Sequence, residues 1–418
     1  MDNPARAAIL PAMTGFDCDI VIVGGGLNGT TLALALAKAG LRSCVIDSLP
    51  RDTRADPGFD GRSYALALTS HRMLSGLGLW PKLAPDAQPM NEIKVTDGRV
   101  GDARVFLGLH FDSAEIEEGP MGHMIEDRHL RQAVLTAMDA EPLITHLAGE
   151  TVIDQSVDAS GASVTLSSGR ALRGRMIVGA DGRQSQTATR AGITRMGWSY
   201  GQTALVCAIA HELPHGGVAH QLFLPPGPLA ILPLTGNRSS IVWSEETGRA
   251  AAISAMDDAG YLDVLRPRFG DFLGEITLAG DRFSYPLGLT LARRYVADRL
   301  ALVGDAAHGI HPIAGQGLNA GLRDVAALAH VLSHAARRGE DIASPAVLAR
   351  YQSWRRFDTA SLAMATDLFN RLFSNDNALL RAGRDLGMAA VNALPGLRRA
   401  FLREAAGLNG DLPELMRG

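Results

Sequence analysis

Near the start of the chain, Asp19 is followed by four consecutive β-branched residues, Ile20-Val21-Ile22-Val23, and then by Gly24-Gly25-Gly26. An unbroken apolar run of this kind predicts a short strand buried on both faces. The apolar positions from Thr30 to Ala39 suit a helix that stops at Gly40. A second run, Ser43-Cys44-Val45-Ile46, ends at Asp47. Strand, glycine turn, helix and strand from Phe16 to about Trp80 open an α/β domain. The stretch Ile20 to Leu41 is the most apolar in the chain, yet its Gly24-Gly25-Gly26, Asn28, Thr30, Thr31 and Lys38 argue against a membrane span.

The pattern changes between Gly201 and Trp243, where short runs such as Ala204 to Ile209 and Ile231 to Leu234 are separated by Pro225-Pro226-Gly227-Pro228 and Gly236-Asn237. That spacing predicts an inserted, mostly antiparallel sheet. An α/β signature returns at Leu300 to Val303. From Pro345, a first helical residue behind a Ser344 cap, the chain reads as helices.

Composition narrows the class. The 418 residues are 46% apolar and 20% charged with a net charge of −4, which excludes a disordered chain and a nucleic-acid binder. Met1 to Gly15 carry no signal-peptide pattern, so the expectation is a cytoplasmic protein. Cys18, Cys44 and Cys207 form no C-x-x-C pair and read as buried free thiols.

Gly24, Gly26 and Gly29 match G-x-G-x-x-G between a strand and a helix. In that setting the first glycine makes the tight turn, the second admits a pyrophosphate close to the backbone, and the third lets the helix pack on the strand. The helix start offers unpaired N–H groups to phosphate, and Asp47 stands where a ribose hydroxyl would be bound. A second match, Gly315 to Ala320, follows the proline-broken His311-Pro312-Ile313-Ala314 and is not a second Rossmann site.

Leu300 to His308 reads as strand, sharp turn and a carboxylate, Asp305, at the strand end. With Gly179-Ala180-Asp181-Gly182, Ser185, Gly304-Asp305 and His311-Pro312, the chain resembles the group A flavoprotein aromatic hydroxylases of the p-hydroxybenzoate hydroxylase fold. The string His311 to Asp324, Asp60-Gly61-Arg62, the run Gly227 to Leu234 and Gly410-Asp411-Leu412-Pro413 are similar to the ubiquinone-biosynthesis hydroxylases within that group.

The resemblance implies an α/β fold: a Rossmann-like FAD-binding domain (1–85, 115–190 and 275–355), an inserted substrate domain (86–114 and 191–274) and a C-terminal helical region (356–418). It implies FAD held by Gly24, Gly26, Gly29 and Asp47 on the ADP side, with Arg62 and Arg128 at the phosphates. Asp127 is read as the cap of the helix that carries Arg128. Asp181 would serve both FAD and the nicotinamide donor, Asp305 the ribitol, and the backbone N–H groups of Gly317, Leu318 and Asn319 the flavin ring. Two positions depart from the family: Asp47 replaces the commoner Glu, and Ala188 stands where many members carry Arg.

The implied reaction is hydroxylation of a polyprenylated phenol in ubiquinone biosynthesis, with NAD(P)H docking transiently and O2 reacting through a flavin C4a-hydroperoxide. No catalytic side chain is named, and no metal is expected, because His308 and His311 form no H-E-x-x-H or other metal-ligand motif. Two alternatives stay open: a flavin hydroxylase of another small aromatic, and a noncatalytic FAD-binding component of an assembly. Apolar positions from Leu362 to Leu402, interleaved with Arg381, Arg384, Arg398, Arg399 and Arg403, suggest a peripheral surface for anionic lipid at the inner membrane or for a biosynthetic complex. A homo-oligomer is also left open.

Overall fold

The computed structural model describes residues 15–58, 61–97, 108–115, 118–224, 226–310, 315–373 and 394–417. Its centre is a six-stranded sheet in the order Val296–Ala297, Leu300–Leu302, Met176–Gly179, Ile20–Val23, Ser43–Asp47 and Ile144–Ala148. All neighbours are parallel except the edge pair formed by Val296–Ala297 and Leu300–Leu302. Every residue of Ile20–Val23 and Met176–Gly179 is buried, which is why these strands are apolar throughout rather than alternating. The chain leaves Ile20–Val23 to one side of the sheet and later returns to the other at Met176–Gly179, so a topological switch point lies at the carboxyl ends of these two strands.

The large sheet contains nine strands, among them Phe283–Ala292, Arg195–His211, Arg238–Glu246, Gly227–Leu234 and Val218–Leu224 in consecutive antiparallel order. Glu92–Asp97 joins Val218–Leu224 in parallel, and Gly108–Asp112 closes that edge. Phe283–Ala292, which the sequence boundary at 275 groups with the nucleotide-binding part, is paired along the long strand Arg195–His211. Leu205, Cys207, Ile209 and Trp243 on one face pack against Tyr261, Leu265 and Phe269 of helix Asp258–Phe269. The opposite face presents Ala219, Leu234 and Ala208 to Met124 and Ala65 of the three-stranded sheet Ser63–Ala67, Gly122–Glu126 and Gln88–Met90.

All three cysteines are buried and unpaired. Helices Pro345–Phe373 and Pro395–Ala405 form the C-terminal region, and Ser344 Oγ accepts a hydrogen bond from Val347 N at 3.4 Å. Leu379, Leu380, Arg381, Arg384 and Leu386 lie outside the described residues, as do Asp60, Pro225 and 311–314. No helix among the described residues is long and apolar enough to cross a membrane.

One buried carboxylate joins these layers. Asp324, in helix Gln316–Arg337, has a fully buried side chain. Its Oδ2 lies 2.5 Å from His308 Nε2 and accepts from Gly304 N at 3.0 Å, while Oδ1 accepts from Arg355 Nε at 2.7 Å. Burial alone would raise its pKa, but His308 and Arg355 outweigh burial and hold it below the usual carboxylate range. Replacing it with Asn leaves two buried basic groups without their counter-charge. Asp324→Asn is expected to lose about 3–5 kcal/mol in urea-monitored unfolding.

Two half-buried histidines set an acid limit. Burial, with a smaller push from His71, holds His123 down to about 4, and burial with Lys94 does the same for His220. The native state therefore binds fewer protons than the unfolded chain below the ordinary value of 6.5. Their contribution is complete above that pH and is lost as the pH falls toward 4. The urea midpoint is expected to drop across this window, and a His123→Phe, His220→Phe double variant is expected to flatten the drop.

Candidate active site

The carboxyl ends of the parallel strands gather the glycine turn, Asp47, Asp181 and Asp305. Gly24 adopts φ +116, and a Cβ there would overlap the Ala180 carbonyl of the neighbouring strand end. A Cβ on Gly29 would overlap the Gly24 carbonyl, so the glycine permits the helix to sit directly on the turn. A Cβ on Gly26, by contrast, would meet only open space. The helix begins at Leu27, three residues before the sequence-based start at Thr30, with Gly26 at the cap and no acidic residue in its first turn. Its leading N–H groups and positive dipole end therefore face outward uncompensated, which suits an anion.

Asp47 is almost fully buried, and both its carboxylate oxygens accept from Arg54, at 2.8 Å each. Leu49 N adds a further bond at 3.1 Å. Gly25 is required beside it, since a Cβ would stand 2.6 Å from Asp47 Cβ. The glycine fingerprint treats that position as free, and neither Gly25 nor Arg54 has a local signal for its role.

Asn28 was also missed. Its carboxamide is wedged between Gly304 and Gly321, where a Cβ on either glycine would clash with it. Asn28 Oδ1 is buried without a hydrogen-bond partner, and Asp181 Oδ1 is in the same condition. The second oxygen of Asp181 accepts from Thr187 N at 3.0 Å and Thr187 Oγ1 at 2.9 Å. Ala188 is buried in the short helix Gln186–Arg190, and Arg190 donates to the Val152 carbonyl at 2.8 Å. Arg190 is thus directed to the 152–157 strand.

Asp305 follows Gly304, whose φ is +58, and lies 3.1 Å from Arg183 Nε with both side chains partly exposed. Two residues beyond this turn, His308–Gly309 pairs with Thr290 and Leu291. The edge of the large sheet is therefore stitched to the segment that carries Asp305. His308 is buried on Asp324, a packing role rather than a metal-binding one, and His311 lies outside the described residues.

Gly315, at φ +65, caps helix Gln316–Arg337, and a Cβ there would press on Ala65. Gly317 and Leu318 lie in the first helical turn, whose N–H groups have no intrahelical acceptor, and Gly317 opens on free space. Asn319 is one position further on and is buried. Its Oδ1 accepts from Ala67 N at 2.9 Å and Ser70 Oγ at 2.8 Å, and its Nδ2 donates to Ala65 O at 2.7 Å and Gly315 O at 3.0 Å. Its side chain is a staple that fixes the helix start.

The Arg62 guanidinium lies 5.8 Å from the Tyr64 ring and 5.2 Å from the Tyr285 ring, spanning the small and large sheets. Arg128 bonds Glu126 Oε2 at 3.0 Å, which also accepts from Arg238 at 2.8 Å. Burial would raise the Glu126 pKa, but Arg238 and Arg128 hold it low. Asp127 is the first residue of helix Asp127–Asp139 rather than its cap; it is buried and accepts from Arg131 Nε at 2.7 Å.

The open backbone at Gly26 and Gly317, the two helix starts and the two orphaned buried oxygens fit an elongated phosphate-bearing dinucleotide. Fold and site together define a dinucleotide-binding flavoprotein. Residues 17–366 match the family model described as FAD binding domain. The chain is 48% identical, over 100% of its length and 96% of the relative, to "Ubiquinone hydroxylase UbiL" of Rhodospirillum rubrum. It is 37% identical, over 95% of its length and 100% of the relative, to "3-demethoxyubiquinol 3-hydroxylase" of Escherichia coli K12. Among solved structures, p-nitrophenol 4-monooxygenase PnpA from Pseudomonas putida shares the fold, with a TM-score of 0.77 at 20% identity over 94% of this chain and 98% of that one. The chain belongs to the group A FAD-dependent aromatic hydroxylases, close to those of ubiquinone biosynthesis. It is an FAD-dependent aromatic-ring monooxygenase that uses NAD(P)H.

A branched side chain at Gly26 would fill the space that a phosphate must enter. Gly26→Val is expected to fold with unchanged far-ultraviolet circular dichroism but to purify colourless, with heat-released flavin close to zero. Normal flavin content in that variant would remove Gly26 from the site.

Proposed function

We propose that this enzyme hydroxylates the ring of a polyprenylated phenol or quinol on the route to ubiquinone. The observation that carries the reading is full-length similarity to the Rhodospirillum rubrum and Escherichia coli hydroxylases. The inner wall of the large sheet supports it. Ala204, Val206 and Leu287 cluster there with Val242, Phe283 and Tyr285, and Leu289, Ile310 and Ala320 continue the apolar surface with Tyr200 and Leu291. Such a wall suits an aromatic ring with an isoprenoid tail, because every methylene it covers contributes about 0.8 kcal/mol.

When bound, FAD accepts a hydride from NAD(P)H and activates O2 so that one oxygen atom passes to the ring. In this reading Gly24, Gly26 and Gly29 hold the pyrophosphate against the helix that starts at Leu27. Asp47, oriented by Arg54, keeps lone pairs for a ribose hydroxyl. Arg62 and Arg128 supply positive charge toward the phosphates, Arg128 with part of its charge balanced by Glu126. The free Oδ1 of Asp181 and the carboxylate of Asp305 receive cofactor hydroxyls, with Arg183 steering Asp305. N–H groups of Gly317 and Leu318 face the flavin ring, and Asn319 holds that helix start still. The apolar wall excludes water around the reacting ring.

The polyprenyl substrate also favours a peripheral encounter with anionic membrane or with a biosynthetic complex, including a further copy of the chain. Exposed Leu394, Phe401 and Arg399 are the residues offered for it. Arg398 and Arg403 contribute less charge than their number suggests, since they pair with Glu115 at 2.8 Å and Glu118 at 3.3 Å. Leu402 is buried and belongs to the core.

The test incubates the purified holoenzyme with NAD(P)H, labelled O2 and short-tailed prenylphenols, with small soluble phenols as the parallel arm. Coupled NAD(P)H consumption and one labelled oxygen in the prenylated product are expected by mass spectrometry. Efficient coupling only with the small phenols would overturn the substrate assignment, and no flavin reduction by NAD(P)H would overturn catalysis.

A further inference from the structure

Far along the helix that begins at Gly315, away from its flavin-facing end, three metal-ligating side chains converge. His330 and His334 are one turn apart on Gln316–Arg337, with rings stacked at 4.2 Å between centroids. Trp354 meets the His330 ring edge-on at 5.2 Å and fixes its orientation. Glu414 approaches from the C-terminal segment. Its Oε2 lies 3.7 Å from His330 Nδ1 and 3.6 Å from His334 Nε2. Both nitrogens are buried and have no hydrogen-bond partner, and the three donor atoms lie within 4.8 Å of one another.

From this geometry we infer that His330 Nδ1, His334 Nε2 and Glu414 Oε2 form a binding site for Zn2+. Two imidazoles four residues apart on a helix with one carboxylate suit a borderline first-row cation rather than Mg2+ or Ca2+, which require oxygen ligands. With zinc–ligand bonds of about 2.0–2.2 Å, ligand atoms of a tetrahedral site stand ~3.3 Å apart. The two nitrogen–oxygen separations at Glu414 need to shorten only slightly, and the two nitrogens, within 4.8 Å of each other, close the larger gap by rotation of the His334 side chain. Arg337, 4.0 Å from Glu414 Oε2, is the competing cation, but its side chain is 63% exposed and can turn to solvent.

The consequence is mechanical and independent of the substrate assignment. Glu414 starts the short turn Glu414–Met416, whose Met416 is buried in the main core. The preceding residues are already strapped down: Arg323 donates to Gly407 O at 2.9 Å and Asn409 O at 2.5 Å, and Trp354 Nε1 donates to Asp411 O at 3.0 Å. Zinc would clip the end of this strap to the helix whose other end faces the flavin.

The experiment uses tag-free holoenzyme, equilibrium dialysis against Zn2+ with a competing chelator, and metal counting by mass spectrometry. One zinc per chain is expected, with no retention of Mg2+ or Ca2+. His334→Ala is expected to weaken binding by about 100-fold or more and Glu414→Gln by about 10-fold or more. Both side chains are at least partly exposed, and unchanged FAD content serves as the check on folding. Amide exchange in 406–417 is expected to slow with Zn2+ in the parent protein but not in the variants. Failure of the parent to retain zinc, or equal retention by both folded variants, would overturn the site and assign any bound metal to other histidines.

Discussion

The contact on which the molecule depends is the buried carboxylate of Asp324. It binds the backbone of Gly304, the ring of His308 and the guanidinium of Arg355, and so ties the turn after a central strand to two long helices. A charge so deeply buried is tolerated only because each oxygen has strong, well-aligned donors. Asp305 lies between two of the tethered residues, and His308–Gly309 pairs with the large sheet. One ion network therefore joins the Gly304–Asp305 turn, two helices and the edge of the large sheet.

The turn at the strand ends is shaped chiefly by what is left out. Gly24, Gly25 and Gly29 are positions where a Cβ would strike the Ala180 carbonyl, the Asp47 side chain or the Gly24 carbonyl. Gly26 and Gly317 are positions where it would instead enter open space. The first set brings protein close to protein, and the second leaves room for a ligand. Sequence spacing records both sets as glycine, and only the packing separates those pressed against protein from those that open on free space.

Similar logic divides the polar side chains. Asn319 and His308 sit in motifs that resemble cofactor-contacting strings, yet in the fold their hydrogen bonds are made to protein. Asn28 Oδ1 and Asp181 Oδ1 are buried acceptors that no protein group meets. Unmet capacity of this kind costs stability and is tolerated where a ligand can meet it.

The sequence by itself determined the class of the molecule. The β-branched run before Gly24, the glycine spacing, Asp47 and the strand-end Gly304-Asp305 are local features, each within a few residues, and local sterics set their conformations. The antiparallel insertion was legible for the same reason, from short apolar runs between turn-formers. Tertiary structure decided what no local pattern encodes. Arg54 meets Asp47, Arg183 meets Asp305 from 122 residues away, and Asn319 Oδ1 accepts from Ala67 N across 252 residues. It also paired Arg398 and Arg403 with Glu115 and Glu118, and brought His330, His334 and Glu414 together. Such pairings depend on which surfaces the core packing brings face to face, and side-chain periodicity specifies only which face of an element is buried, not what it meets.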